Sequence, residues 1–337
     1  MNSTVLSPDL EIQTHPDYNT SHHTENGFRN PWKMEEPKPG PLDALGWMVS
    51  FAFKKREDLP LFSVPMDPSF VANHPDLRSA HWIGHSTVLL KLGGKYVLLD
   101  PVFANRASPV PFAGPRREVD LPIEIEDLPG VDVVVLSHNH YDHLDTDAIA
   151  RLAGKFDPLF IVPLRNGDVM RSAGARRVIE LDWRQSVSAE GMTFHCLPAR
   201  HFSNRGLTDR NEMLWASFLI EHDGWKAYFA GDTGYAEHFS EIGRMFPGID
   251  LALIPIGAYK PRWFMREVHV DPEEAMQAFV DLGASEFFAI HWGTFILAEE
   301  ALHEPAERME QLILKKKMDR SRFHILMAGQ SVGLDRF

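Results

Sequence analysis

The stretch Ser137-His138-Asn139-His140-Tyr141-Asp142-His143 constrains this chain more than any other feature. It follows Val131-Asp132-Val133-Val134-Val135-Leu136, an apolar, β-branched run that predicts a buried strand. It precedes Asp147-Ala148-Ile149-Ala150-Arg151-Leu152, which predicts a helix capped by Asp145 or Thr146. The histidines and the aspartate therefore crowd the carboxyl end of a strand, where open α/β sheets carry their chemistry. Imidazoles and a carboxylate this close lose hydration when buried and repel when protonated, unless a cation sits among them. A solvated, histidine-rich loop is the plainer alternative.

A chain of 337 residues, 44% hydrophobic and 24% charged, can bury a sizeable core. Its net charge of −13 argues against general attraction to nucleic acid or to an anionic membrane, but leaves room for a local basic patch. The single cysteine, Cys196, excludes an internal disulfide and a cysteine-based zinc site. Residues 1–8 show no basic stretch leading into an apolar one, so the expectation is a cytoplasmic protein, or one peripheral to a membrane.

Along the chain, residues 1–41 read as an extended, proline-bearing arm in which His22 and His23 are solvated. Residues 42–79 read as a short apolar helix over 42–53 and a connector. That helix either packs on the main domain or dips into lipid with Trp47 and Lys54-Lys55-Arg56 at the interface. Strands dominate from residue 80 to 337, beginning with a run over 79–92 that turns at Gly93-Gly94 into a strand over 95–101. Asp100 ends that strand, placed either to cap a turn or to hydrogen-bond a metal-bound histidine and hold its tautomer. His201, Asp232 and His291 each follow a later apolar strand at a glycine- or proline-marked loop.

These residues divide into two coordination spheres. His138 and His140 alternate along extended backbone and join His201 around one ion, while Asp142, His143 and His291 surround another. Asp232, with two oxygens, bridges them. Imidazole and carboxylate suit zinc better than iron or manganese, and an open site argues for hydrolysis by a bridging hydroxide.

The same residues carry a family resemblance. His138-x-His140-x-Asp142-His143 with His201, Asp232 and His291 resembles the metallo-β-lactamase superfamily, which implies an α/β, four-layer αββα sandwich. A closer likeness rests on His81-Trp82-Ile83-Gly84-His85-Ser86-Thr87, Phe229-Ala230-Gly231-Asp232-Thr233-Gly234-Tyr235, His269-Val270-Asp271-Pro272-Glu273-Glu274-Ala275 and Ile290-His291-Trp292-Gly293-Thr294-Phe295. Together with the histidine loop, these are similar to the N-acyl-phosphatidylethanolamine-hydrolysing phospholipase D family. The likeness runs from about residue 80 to the C-terminus and fades in the arm, where Asn30-Pro31-Trp32 alone is shared.

The resemblance implies two zinc ions per chain and cleavage of a glycerophospholipid to N-acylethanolamine and phosphatidic acid. His269 matches a histidine that contacts the substrate phosphate, and Arg205 a basic residue near the entrance. Val268 departs from the polar residue expected beside His269. Asp142 is expected to orient the nucleophile as well as bind metal. The expected partners are a phospholipid, a membrane surface touched peripherally and a second copy of the chain, with no nucleic acid. Two other functions use the same ligands: a lactonase or sugar-phosphate hydrolase, and a zinc-dependent lipid-binding protein without turnover.

Overall fold

A computed structural model describes residues 10–33, 60–69 and 77–335, with Gly40, Gly46 and His74. Apart from Gly46, the helix expected over 42–53 lies outside these residues.

Period-two alternation builds the layers. In β5 (Val133–Val135), Val133 and Val135 face the core between two sheets, while Val134 faces the cluster beneath α1 (Thr146–Lys155). β3 (Thr87–Leu92), β4 (Lys95–Leu99) and β6 (Leu159–Pro163) divide their side chains the same way. Both faces are covered, which is why these strands read as nearly unbroken apolar runs. The sheet runs β15 (Ser331–Gly333), β2 (Ser79–Gly84), β3, β4, β5, β6, β7 (Arg177–Leu181), with α1 and α2 (Gly167–Ser172) on its outer face.

The facing sheet runs β1 (Ile12–Thr14), β8 (Gln185–Ala189), β9 (Met192–Leu197), β10 (Ser217–His222), β11 (Trp225–Phe229), β12 (Leu251–Pro255), β13 (Glu286–Ile290), β14 (Phe323–His324). On it, α5 (Pro272–Leu282) packs against β12 and meets α3 (His238–Met245) and α6 (Glu304–Lys315). The short α4 (Arg262–Met265) precedes α5. The result is the αββα sandwich that the resemblance implies.

The local signals held at several boundaries. Asp145 is the cap of α1, accepting from the amides of Asp147 and Ala148. Asp271 and Glu274 form a reciprocal capping box at α5. Gly93 and Gly94 both take positive φ (55° and 74°), the backbone a two-residue hairpin turn requires.

Three readings change. The single run over 79–92 is two strands, β2 and β3, because Gly84 and His85 turn the chain at φ 131° and 53°. The region where strands were expected to dominate also carries the helix α6, with Pro305, Met309, Leu312 and Ile313 buried at helical spacing. Residues 10–33 of the arm are not a solvated extension. β1 adds to the edge strand β8, and His22 is buried against Trp183, its ring 4.3 Å away. His22 Nε2 lies 2.7 Å from one oxygen of buried Asp182, and His23 Nε2 lies 2.8 Å from the other. The Tyr18 hydroxyl donates to that second oxygen at 2.7 Å. Burial alone would raise the pKa of Asp182, but the hydrogen bonds from His22 and Tyr18 outweigh it and hold the carboxyl below its usual range. A buried carboxylate needs donors, and the arm supplies them.

Candidate metal centre

The strand ends of both sheets meet over one cluster of imidazoles and carboxylates. β5 delivers His138, His140, Asp142 and His143, β9 leads to His201, β11 to Asp232 and β13 to His291. Gly231 permits the approach of the two sheets: a Cβ there would stand 2.5 Å from that of Ser137. The backbone is under local strain at three neighbouring positions, since His85, Asp100 and His291 adopt φ of 53°, 36° and 59°. Such left-handed backbone costs about 1–2 kcal/mol per non-glycine residue and concentrates at functional sites.

Hydrogen bonds behind the rings select their tautomers. The Ser137 hydroxyl donates to Asp100 Oδ2 at 2.5 Å, so it accepts from His138 Nδ1 at 2.9 Å. His143 Nδ1 donates to Asp100 Oδ2 at 2.6 Å, and His201 Nδ1 donates to the Val268 carbonyl at 2.9 Å. With Nδ1 engaged behind it, each of these three rings turns its Nε2 inward, the nitrogen a metal would take. Asp100 thus accepts from both Ser137 and His143. Val268 meets the site through its backbone carbonyl, a contact that does not depend on its side chain.

The inward atoms fall into two lobes. His138 Nε2 lies 2.8 Å from His140 Nδ1, which lies 3.2 Å from His201 Nε2. In the other lobe, His291 Nε2 and His143 Nε2 lie 3.4 and 3.5 Å from Asp142 Oδ2. Asp232 Oδ2 sits between the lobes, 3.1 Å from His291 Nε2, 3.3 Å from His143 Nε2, 3.8 Å from His201 Nε2 and 4.0 Å from His138 Nε2. His85, from the motif His81-Trp82-Ile83-Gly84-His85-Ser86-Thr87, joins the second lobe with Nε2 2.9 Å from Asp142 Oδ2. The turn that separates β2 from β3 is what brings it there.

The electrostatics fit a cation. Burial lowers His138 and His201, and brings His140 to about 4 and His85 to about 3. Burial would lower His291 too, but the Asp232 and Asp142 carboxylates outweigh it and push it up to about 9. Asp142 and Asp232 themselves stay well below the carboxylate range, because His143 overrides their desolvation. Two buried carboxylates thus demand positive charge at the centre. His143 Nε2, His291 Nε2 and Asp232 Oδ1 are buried without a hydrogen-bond partner, although the carboxylates lie within reach. This donor set, nitrogen and oxygen without sulfur, fits metal ions.

The other two expected residues flank the cluster. His269 Nδ1 lies 3.8 Å from Asp232 Oδ2, and burial brings its pKa to about 4. Arg205 clamps the histidine loop: Nη1 donates to the carbonyls of Asn139 and Leu144 at 3.0 and 2.8 Å, and the guanidinium lies 4.1 Å from the Tyr141 ring. Its remaining N–H groups are what an entrance role would use.

The chain is similar to known proteins over most of its length. The Beta-lactamase superfamily domain matches residues 95–292. An uncharacterized protein of Mycobacterium tuberculosis is 43% identical over 256 residues, covering 74% of this chain and 68% of that one. The N-acyl-phosphatidylethanolamine-hydrolyzing phospholipase D 1 of Caenorhabditis elegans is 39% identical over 246 residues, covering 69% of each. Igni18, a metallo hydrolase from Ignicoccus hospitalis, superposes with a TM-score of 0.58 at 22% identity, over 76% of this chain and 97% of that one, and so shares the fold. The chain belongs to the N-acyl-phosphatidylethanolamine-hydrolysing phospholipase D family of the β-lactamase superfamily and is a metallohydrolase.

Proposed function

We propose that this protein is a dizinc phospholipase D-type phosphodiesterase. Its substrates are N-acyl-phosphatidylethanolamine-like glycerophospholipids, split into N-acylethanolamine and phosphatidic acid. The observation that carries the reading is the position of Asp232 Oδ2 between a three-histidine lobe and an Asp-His-His lobe. His138, His140 and His201 would hold one zinc ion, Asp142, His143 and His291 the other, and Asp232 both. Bound there, the ions supply Lewis acidity for a phosphoryl oxygen and acidify water for attack.

The chain's own residues divide the remaining work. His85 fixes Asp142 through Oδ2, and the Asp142 side chain is 13% exposed against 2% for Asp232. Asp142 is thus the carboxylate that meets solvent and can orient an attacking water. His269, with a side chain also 13% exposed, stands neutral beside Asp232 and has one N–H to offer a phosphoryl oxygen. No described helix is long and apolar enough to cross a membrane, so the reading calls for a peripheral approach to substrate.

A head-group panel tests this reading. Zinc-loaded protein should release N-acylethanolamine from N-acyl-phosphatidylethanolamine, lose that activity to a chelator and regain it with zinc. Opening of lactones or hydrolysis of sugar phosphates, with no alcohol released from any glycerophospholipid, would assign the site to another substrate.

A further inference from the structure

We propose that His22, His23 and Asp182 form a zinc site of their own, and that the ion held there fastens residues 10–33 of the arm to the core. The site shares no residue with the candidate metal centre and is independent of what that centre hydrolyses.

The two adjacent histidines turn both rings onto one carboxylate. Their Nε2 atoms take opposite oxygens of Asp182, at 2.7 and 2.8 Å, and the donor atoms of all three residues lie within 4.8 Å of one another. Hydrogen bonding alone does not call for this pair. The Trp183 amide already donates to Oδ1 at 2.8 Å, and the Tyr18 hydroxyl to Oδ2 at 2.7 Å. Charge gives the histidines their purpose. The Asp182 side chain is 2% exposed, and all four of these donors are neutral when the imidazoles are. The guanidinium of nearby Arg184 is engaged by Glu241 at 3.1 Å. A buried carboxylate without a cation is unfavourable, and a divalent ion between it and two imidazoles supplies the missing positive charge.

The donor set and its freedom fit zinc. Nitrogen and carboxylate oxygen around a tetrahedral ion stand roughly 3.3 Å apart, so the rings need withdraw by only about half an ångström. His138 and His140 of the candidate metal centre stand as close, with 2.8 Å between ring nitrogens. His23 gives both the freedom and the entry, its side chain being 34% exposed, whereas His22 is packed on Trp183. Each ring frees Nε2 by carrying its one proton on Nδ1, so the imidazoles lose no proton to the ion. Three protein ligands leave a fourth position for water on the exposed side. The site is therefore weaker than a closed one and fills when zinc is supplied. The fastened segment continues through Phe28, whose amide donates to the Asn211 carbonyl, to Asn30, whose side chain reaches the His201 carbonyl. Zinc at the arm thereby steadies one wall of the candidate metal centre.

Equilibrium dialysis of the full-length, metal-loaded protein against added zinc, followed by metal analysis, tests the site. Wild type should take up close to one ion per chain more than His23→Gln. The substituted amide still donates to Asp182, so the hydrogen bond survives, but it is a poor ligand for zinc. The same zinc, at about ten times its dissociation constant, should slow tryptic cleavage at Arg29 and Lys33 of wild type by roughly tenfold and leave the variant unprotected. If His23→Gln is unstable, His23→Ala and, separately, Asp182→Asn must each show both losses. Equal uptake by wild type and a folded variant overturns the proposal and leaves Asp182 a hydrogen-bonded latch. Uptake lost in the variant, with cleavage slowed equally in both proteins, overturns the fastening. Because uptake is read as a difference, it depends neither on how many ions the candidate metal centre holds nor on its substrate, and the two readings fail separately.

Discussion

The side-chain amide of Asn30 donates a 2.8 Å hydrogen bond to the backbone carbonyl of His201. The arm thereby reaches a residue of the metal centre from behind. Beside this contact, Arg200 Nη2 donates to the Lys33 carbonyl at 3.1 Å, and the Phe28 amide donates to the Asn211 carbonyl at 2.8 Å. Three bonds from one stretch of arm therefore brace the loop that carries His201. Asn30→Ala removes a donor from that loop and should weaken metal binding by about 10–100-fold. Asn30→Asp, which opposes an oxygen to the carbonyl, should weaken it further. Competition with a fluorescent chelator checks the order, and equal affinity in all three proteins would make the arm irrelevant to the site.

Asp232 is the one carboxylate placed to serve both lobes. Asp232→Asn keeps the shape and removes the charge, so purified protein should fall from close to two zinc ions per chain to one or fewer, with activity lost alongside. Metal analysis of the variant decides it: full occupancy of both lobes would refute the bridge.

His269 separates chemistry from metal binding. If its ring positions the phosphate, His269→Ala should retain its zinc and lose roughly 10–1000-fold in kcat/KM, about 1.4–4 kcal/mol of transition-state stabilisation. Unchanged kinetics would make it a helix-entry residue ahead of the Asp271 cap.

His81 bears on acid stability. Its ring is buried between Ser79 Oγ at 2.8 Å and Ser331 Oγ at 2.5 Å, a pairing that satisfies a neutral imidazole. Burial first, and the Lys91 charge second, lower its pKa from 6.5 to about 4. The unfolded chain takes up this proton near 6.5 and the folded chain does not, so the stability that the neutral ring contributes is complete above that pH. It is lost as pH falls from 6.5 through 4, by about 3 kcal/mol at most. Urea midpoints of His81→Gln should decline less steeply than wild type across this window. Parallel curves would show that His81 titrates normally.

The amino-acid order by itself determined the layers and most of the residues that gather at the candidate metal centre. β-branched runs ending in histidine or aspartate mark strand ends locally, and alternation commits each strand face to one core or the other, as at Val133 and Val134. Asp145 and Asp271 were legible because a helix cap is settled within a few residues. Tertiary structure alone decided the rest. His85 becomes a partner of Asp142 only because a left-handed turn divides a run that reads as one strand, and 57 residues separate the two. His22 looked solvated because the carboxylate that buries it, Asp182, lies 160 residues away. That Arg205 also holds the loop carbonyls of Asn139 and Leu144 depends on a contact 61 to 66 residues away in the chain. Periodicity reports on neighbours along one element, whereas a hydrogen bond between distant segments depends on where folding leaves two backbones, and no local pattern encodes that distance.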